Sequence, residues 1–357
     1  MTLAPDATAW LRKFSQREAG VCTICSLGDS YTEPVGATWP EYGWTALTAR
    51  DLGRRIADDQ SLSSHSISVR APQSVSQSGA AADYDARNPH VIELANDPSG
   101  DGHQTFYDLY GYSSIDVIYL KVAGTYARPQ YAVSGGTRQD FTTTEQVLFA
   151  PGSQYCVSRI EGFPGGNLDI FPPNPGDGPA ALVFGLIAHR GWTGDRGVRW
   201  INWARSGWSS LDVLTRLSDW LYAEPVQALG GDLLHLGLGG NDIAQAISIP
   251  DMKQNYRDII GWFGTHVNAQ APVMFTTMPW PDLNYPETTP PTVETTWNEY
   301  MDAIVDVAAE YPDSIVVDWR GFGPQSQNAE LYLTSDEHFN NYGHRWISDV
   351  MSQALRP

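Results

Sequence analysis

Short apolar runs alternate with helical stretches over residues 199–357, and that alternation constrains the fold more than any other feature. The segments VRWINWA, DLLHLGLG, PVMFTTMP and SIVVDW predict strands. Between them SSLDVLTRLSDWLY, residues 250–269, residues 292–310 and a stretch from about 343 predict helices. Strands that alternate with helices imply a parallel sheet covered on both faces. The signature recurs early in the chain: residues 4–16 predict a short helix and GVCTICSLG a buried strand ending at Gly28. TWPEYGWTALTARDLGRRIAD then predicts a helix with Pro40 near its start, where proline suits the first turn. Residues 58–198 break the alternation. They are rich in Ser, Gly, Thr, Tyr and Pro, and carry β-type runs such as SHSISVR, IDVIYLKVAG, QYAVSGG, EQVLFA, YCVSRI and AALVFGLIAH between turn signals. That is how a β-sandwich or jelly roll reads. The expected organisation is an α/β domain made of residues 1–57 and 199–357, with a β-rich domain, 58–198, inserted into it.

Charge narrows the partners. The chain has 357 residues, 42% of them hydrophobic, with 41 acidic against 22 basic side chains and a formal net charge of -19. A surface so acidic excludes nucleic acid and an anionic membrane as main partners and favours neutral or polar substrates. No run of 18 apolar residues is present, and MTLAPDATAWLRKFSQREAG lacks a basic head followed by an apolar segment, so neither membrane insertion nor a signal peptide is expected. Cys22 and Cys25 form a C-x-x-C, but on a strand residues three apart face opposite sides, and Cys156 makes the count odd. Neither a disulfide scaffold nor a zinc or redox site is indicated, and no His and Asp cluster has metal-ligand spacing. No cofactor is expected.

Four polar segments fall where strands give way to loops, or just before the last helix: LGDSYTE, NWARSGWSS, GLGGND and SDEHFNNYGH. Together they supply what acyl transfer needs, a nucleophile, a base and donors for an oxyanion. In this order they resemble the four blocks of the SGNH, or GDSL-type, hydrolase family, which centre on Ser, Gly, Asn and His. The resemblance covers the α/β portion only. It implies a flavodoxin-like three-layer sheet and a serine esterase that needs neither metal nor cofactor. Ser30 would be the nucleophile, with its own N–H as one oxyanion donor. Gly207, in an N-x-x-x-S-G pattern, would be the backbone donor, and Asn241 the side-chain donor. His338 fits the H-x-N-x-x-G pattern, with Asn340 and Gly343 in register, and would be the base; His344 falls inside the last helix. Asp29 and Asp242 would support the nucleophile loop and the Asn turn. His189 and His235 are expected to be packed or surface residues.

The chain departs from the family at the acid. The position three before His338 is Ser335, and the nearest carboxylates are Asp336 and Glu337. Asp336 is the expected acid, because a loop can absorb a shift of one residue; a Ser-His dyad, or an acid from elsewhere in the chain, would also serve. Trp192, Trp200, Trp203 and Trp208 crowd around the second block, where an aromatic face could stack on a sugar or else fill the junction with the insertion. With the β-rich insertion they favour a carbohydrate O-acetylesterase acting on a surface glycan. The alternatives are a lipase or acyl esterase on lipid-like esters, an acyltransferase, and a non-catalytic glycan-binding component of a virion tail with a retained hydrolase fold. Homo-oligomer or virion assembly, and a cytoplasmic location or virion display outside the cell, are both compatible with the chain.

Overall fold

The computed structural model describes residues 8–33, 35–38, 40–54, 62–68, 75–78, 81–85, 88–95, 102–122, 125–149, 154–191, 196–278, 291–321 and 338–356. The strands are β1 (Val21–Gly28), β2 (Ser63–Ser68), β3 (Val75–Ser78), β4 (Ala81–Asp85), β5 (Asn88–Ala95), β6 (His103–Phe106), β7 (Ser114–Lys121) and β8 (Gln130–Val133). They continue as β9 (Gln146–Phe149), β10 (Gln154–Glu161), β11 (Leu168–Phe171), β12 (Ala180–Arg190), β13 (Gly197–Asn202), β14 (Leu233–Gly237), β15 (Val273–Thr277) and β16 (Ile315–Asp318). The helices are α1 (Thr8–Ser15), α2 (Trp44–Leu52), α3 (Ser210–Leu217), α4 (Trp220–Leu229), α5 (Gly240–Ala244), α6 (Ile249–His266), α7 (Pro291–Ala308) and α8 (Asn341–Leu355).

β16, β15, β14, β1 and β13 lie side by side and parallel. Taken in chain order these five follow 2-1-3-4-5, the flavodoxin-like arrangement, which puts a topological switch point beside β1. β1 is central because it is apolar on both faces: from Cys22 to Gly28 every residue is buried. Burial also pushes the thiols of Cys22 and Cys25 far above their ordinary range, and both are free. α2 packs on α8, and the Trp10 indole of α1 donates to the Leu355 carbonyl, while α3, α6 and α7 pack in a row. SSLDVLTRLSDWLY forms two helices rather than one. Asp219 accepts the Leu221 N–H at 3.0 Å and so caps a new helix in the middle of the segment.

The sheet does not stop where composition changes. β2 pairs in parallel with β13, then antiparallel with β12, and β7, β10 and β9 follow in the same sheet. Alternation along β7 shows what this joint does. Ile118 and Leu120 pack into the core shared with the α/β layers, whereas Ile115, Val117 and Tyr119 face a second core. A separate four-stranded sheet, β3-β6-β11-β8, closes that second core with Phe106, Leu168, Ile170 and Tyr131. No helix among the described residues is long and apolar enough to cross a membrane.

Candidate active site

Three of the four segments meet at the carboxyl edge of the parallel sheet. β1 and β14 run in register to Gly28 and Gly237, and the chain leaves β1 through Asp29 and Ser30. Both glycines are forced by close approach: a Cβ on Gly28 would sit 2.6 Å from Thr32 Oγ1, and one on Gly237 would sit 2.5 Å from the same atom. The turn is then wound tightly. Asp29 donates its N–H to the Gly237 carbonyl, its side chain accepts the Tyr31 N–H at 3.0 Å, and its carbonyl accepts the N–H groups of Thr32 and Glu33. This leaves Ser30 at the crest, 7% exposed, with neither its N–H nor its hydroxyl bonded among the described residues.

The second block lies against this turn. Arg205 donates its N–H to the Gly28 carbonyl at 3.0 Å, Trp203 donates to the Ser26 carbonyl, and the Asn202 side chain reaches the Thr32 carbonyl. Gly207 has φ of +82°, a left-handed conformation that favours glycine, and its N–H has no acceptor among the described residues. In the third block Gly239, at φ of +120°, turns the chain into α5. Asn241, on the first turn of that helix, donates one amide hydrogen to the Trp208 carbonyl at 3.1 Å, and the second is without a partner among the described residues. Asp242 is buried and accepts from the N–H and hydroxyl of Ser210, tying α5 to the start of α3; burial raises its carboxyl above the usual range.

The fourth block comes down on the same turn. The His338 ring lies 5.6 Å from the ring of Tyr31, the residue after Ser30, and Phe339 packs edge-on against Tyr31 at 5.4 Å. Asn340 caps α8, accepting from the N–H groups of Tyr342 and Gly343 at 2.9 and 3.1 Å, which explains the Asn of the pattern. Asn341 is bonded to Thr38 through both ends of its amide. His344 is wholly buried and bonds the Val35 carbonyl, and burial pushes it down to about 4, which suits a neutral packed ring rather than a base. Asp336, Ser335 and Glu337 lie outside the described residues.

His235 and His189 are packed. His235 is buried between Ser26 and Thr276, and burial brings it down to about 3. His189 is buried against Asp116, which also takes a bidentate pair of bonds from Arg159. The tryptophans of the second block fill core rather than a sugar platform: Trp200 donates to Ser26 and lies edge-on to Trp44, and Trp203 and Trp208 both pack edge-on against Tyr222. Trp192 lies outside the described residues. One residue of the site escaped the motif reading. Glu33, three residues past Ser30, is buried, and its carboxylate accepts from the Ser206 N–H and from Arg205 at 2.8 Å. The only local signal for it was a carboxylate in an otherwise buried turn.

A flavodoxin-like sheet whose switch point carries a serine, free backbone donors, an asparagine amide and a histidine loop is a hydrolase of the SGNH type. The chain belongs to the GDSL-like lipase/acylhydrolase family, whose model matches residues 162–346, and it is a carboxylic ester hydrolase. A solved peptidoglycan O-acetylesterase is similar over 99% of this chain and 97% of its own, with a TM-score of 0.64 and 15% identity. An acetylxylan esterase from Geobacillus stearothermophilus matches 45% of this chain and 73% of its own, with a TM-score of 0.36 and 16% identity. A lipase/acylhydrolase from Enterococcus faecalis matches 45% and 76%, with a TM-score of 0.36 and 20% identity. No curated protein matches the chain.

Proposed function

We propose that this esterase works through an acyl-enzyme on Ser30 and removes acetyl groups from a carbohydrate, on a surface glycan. The observation that carries the mechanism is the pair of N–H groups, on Ser30 and Gly207, without acceptors among the described residues, in two loops bonded to each other, beside the Asn241 amide. His338 takes the Ser30 proton as Oγ attacks the ester carbonyl. The two N–H groups and Asn241 take the oxyanion, His338 returns the proton to the leaving alcohol, and water releases acetate by the same steps reversed in role. Asp336 holds the imidazole tautomer. The carbohydrate acetyl ester is supported by the likeness of fold along the whole chain, the β-rich region included, to a peptidoglycan O-acetylesterase.

The test is p-nitrophenol release from acetate, butyrate and octanoate esters, alongside acetate release from O-acetylated peptidoglycan and xylan. We expect acetate to be the fastest simple ester and Ser30→Ala to lose at least about 10³-fold in kcat. Asp336→Asn should lose about 10²- to 10⁴-fold if it fixes the tautomer, and little if a Ser-His dyad operates. Faster octanoate hydrolysis would make the chain a lipid esterase. Inactivity on every ester, with no fluorophosphonate labelling of Ser30, would leave a glycan-binding protein.

A further inference from the structure

We infer that Glu33 is the positioning residue of the oxyanion hole, an inference that rests on the reading of Ser30 as nucleophile and Gly207 as donor. Glu33 stands on the same tight turn as Ser30, with its N–H on the Asp29 carbonyl at 2.9 Å. Its buried carboxylate crosses to the second loop, where one oxygen accepts the Ser206 N–H and the other accepts from Arg205 Nη1 at 2.8 Å. The nucleophile and the donor are thus tied through a single side chain.

The location of these bonds along the backbone matters more than their number. The Ser206 N–H belongs to the peptide on one side of the Ser206–Gly207 unit. On the other side, the Gly207 carbonyl accepts from Gln245 Nε2 at 3.2 Å. The peptide that carries the Gly207 N–H is therefore held at both ends, while its own N–H has no acceptor among the described residues. Gly207 needs such holding: among the described residues a Cβ there would meet nothing within 4 Å, and its φ of +82° lies where glycine moves freely. A donor displaced by about 1 Å can cost about 10²-fold in rate. Glu33 touches no substrate in this scheme; it acts through Gly207.

The experiment compares wild type, Glu33→Ala, Glu33→Gln and the double variant Glu33→Gln with Arg205→Met. Each is assayed for kcat and KM on p-nitrophenyl acetate, for the rate of Ser30 labelling by a fluorophosphonate, and for its thermal midpoint. We expect Glu33→Ala to lose about 10²-fold in kcat at nearly constant KM, the mark of an interaction made in the transition state, and to label about as much more slowly. The double variant keeps a carbonyl acceptor for the Ser206 N–H without stranding the guanidinium, so it should recover most of kcat. If Glu33→Ala does not fold, the two Gln variants decide the matter by the same comparison. A folded Glu33→Ala with unchanged kcat and labelling overturns the inference, as does a double variant no better than Glu33→Ala. Wild type that fails to label overturns the acyl-enzyme reading itself, and the positioning role falls with it.

Discussion

His235 and His344 are both wholly buried, and what holds them neutral makes the stability of the chain depend on pH. Trp200 donates to Ser26 Oγ, which is also bonded to His235 Nδ1, and His235 Nε2 is bonded to Thr276 Oγ1. Burial takes His235 down to about 3 and His344 to about 4, against about 6.5 in the unfolded chain, and burial also lowers His189. Between those values the unfolded state binds more protons than the native one, so stability is full above pH 6.5 and falls as the solution is acidified. Asp116 acts in a lower window: burial opposes its ionisation, but hydrogen bonds from Arg159 and His189 outweigh that and hold it at about 2, so its share is lost only below about pH 4. Going from pH 7 to 5.5 should cost about 1 kcal/mol for each of His235 and His344. Urea midpoints at the two pH values would show the drop, and His344→Gln should flatten part of it. Equal midpoints in wild type would mean that these rings are solvated when folded.

At the scale of elements, α8 begins three residues past His338, the proposed base, and its start is set by the Asn340 side chain. Asn340→Ala removes the acceptor for two N–H groups and should cost about 1 kcal/mol of stability. Because His338 lies two residues away, kcat should fall as well, whereas Asn340→Asp, which keeps a capping oxygen, should restore both. Thermal melts and steady-state rates on the three proteins check this, and an Ala variant with the wild-type rate would separate the cap from the base. Asn340 also illustrates what could be read from residues alone. The Gly, Asn and Ser residues at strand exits were legible because each answers a local need: close approach at Gly28, a left-handed turn at Gly207 and a helix cap at Asn340. Glu33 was not legible, since its partner Arg205 lies 172 positions away and no spacing rule connects them. The tryptophans misled toward a sugar platform for a related reason: the identity of Trp203 or Trp208 does not say whether its face is covered, and here Tyr222 covers both. β2 was visible as a strand, but its parallel pairing with β13 depends on the whole sheet order.

For the molecule as a whole, the joint between the parallel and antiparallel halves of the large sheet decides whether the hydrolase portion can stand alone. Ile118 and Leu120 of β7, Tyr155 of β10, and Leu182, Phe184 and Ile187 of β12 belong to the same core as Trp200, Trp44 and the helices around them. α4 packs against β5 and β9 and so covers the antiparallel half of the sheet from the α/β side. Removing residues 69–191 while keeping β2 and β13 would strip those six side chains from the core and open the outer edge of β2. At roughly 1.5–3 kcal/mol for each buried side chain the loss is about 9–18 kcal/mol, as large as the whole stability of an ordinary domain. An open strand edge with an apolar face beside it also invites pairing between chains. The shortened chain should therefore elute as aggregate in size-exclusion chromatography and lack the near-ultraviolet circular dichroism of packed tryptophans. By the same reasoning, the full chain should unfold in one transition, with tryptophan fluorescence and far-ultraviolet circular dichroism changing together. A shortened chain that stays monomeric and hydrolyses p-nitrophenyl acetate would mean that the parallel sheet carries its own stability, and that the β-rich region serves the substrate rather than the fold.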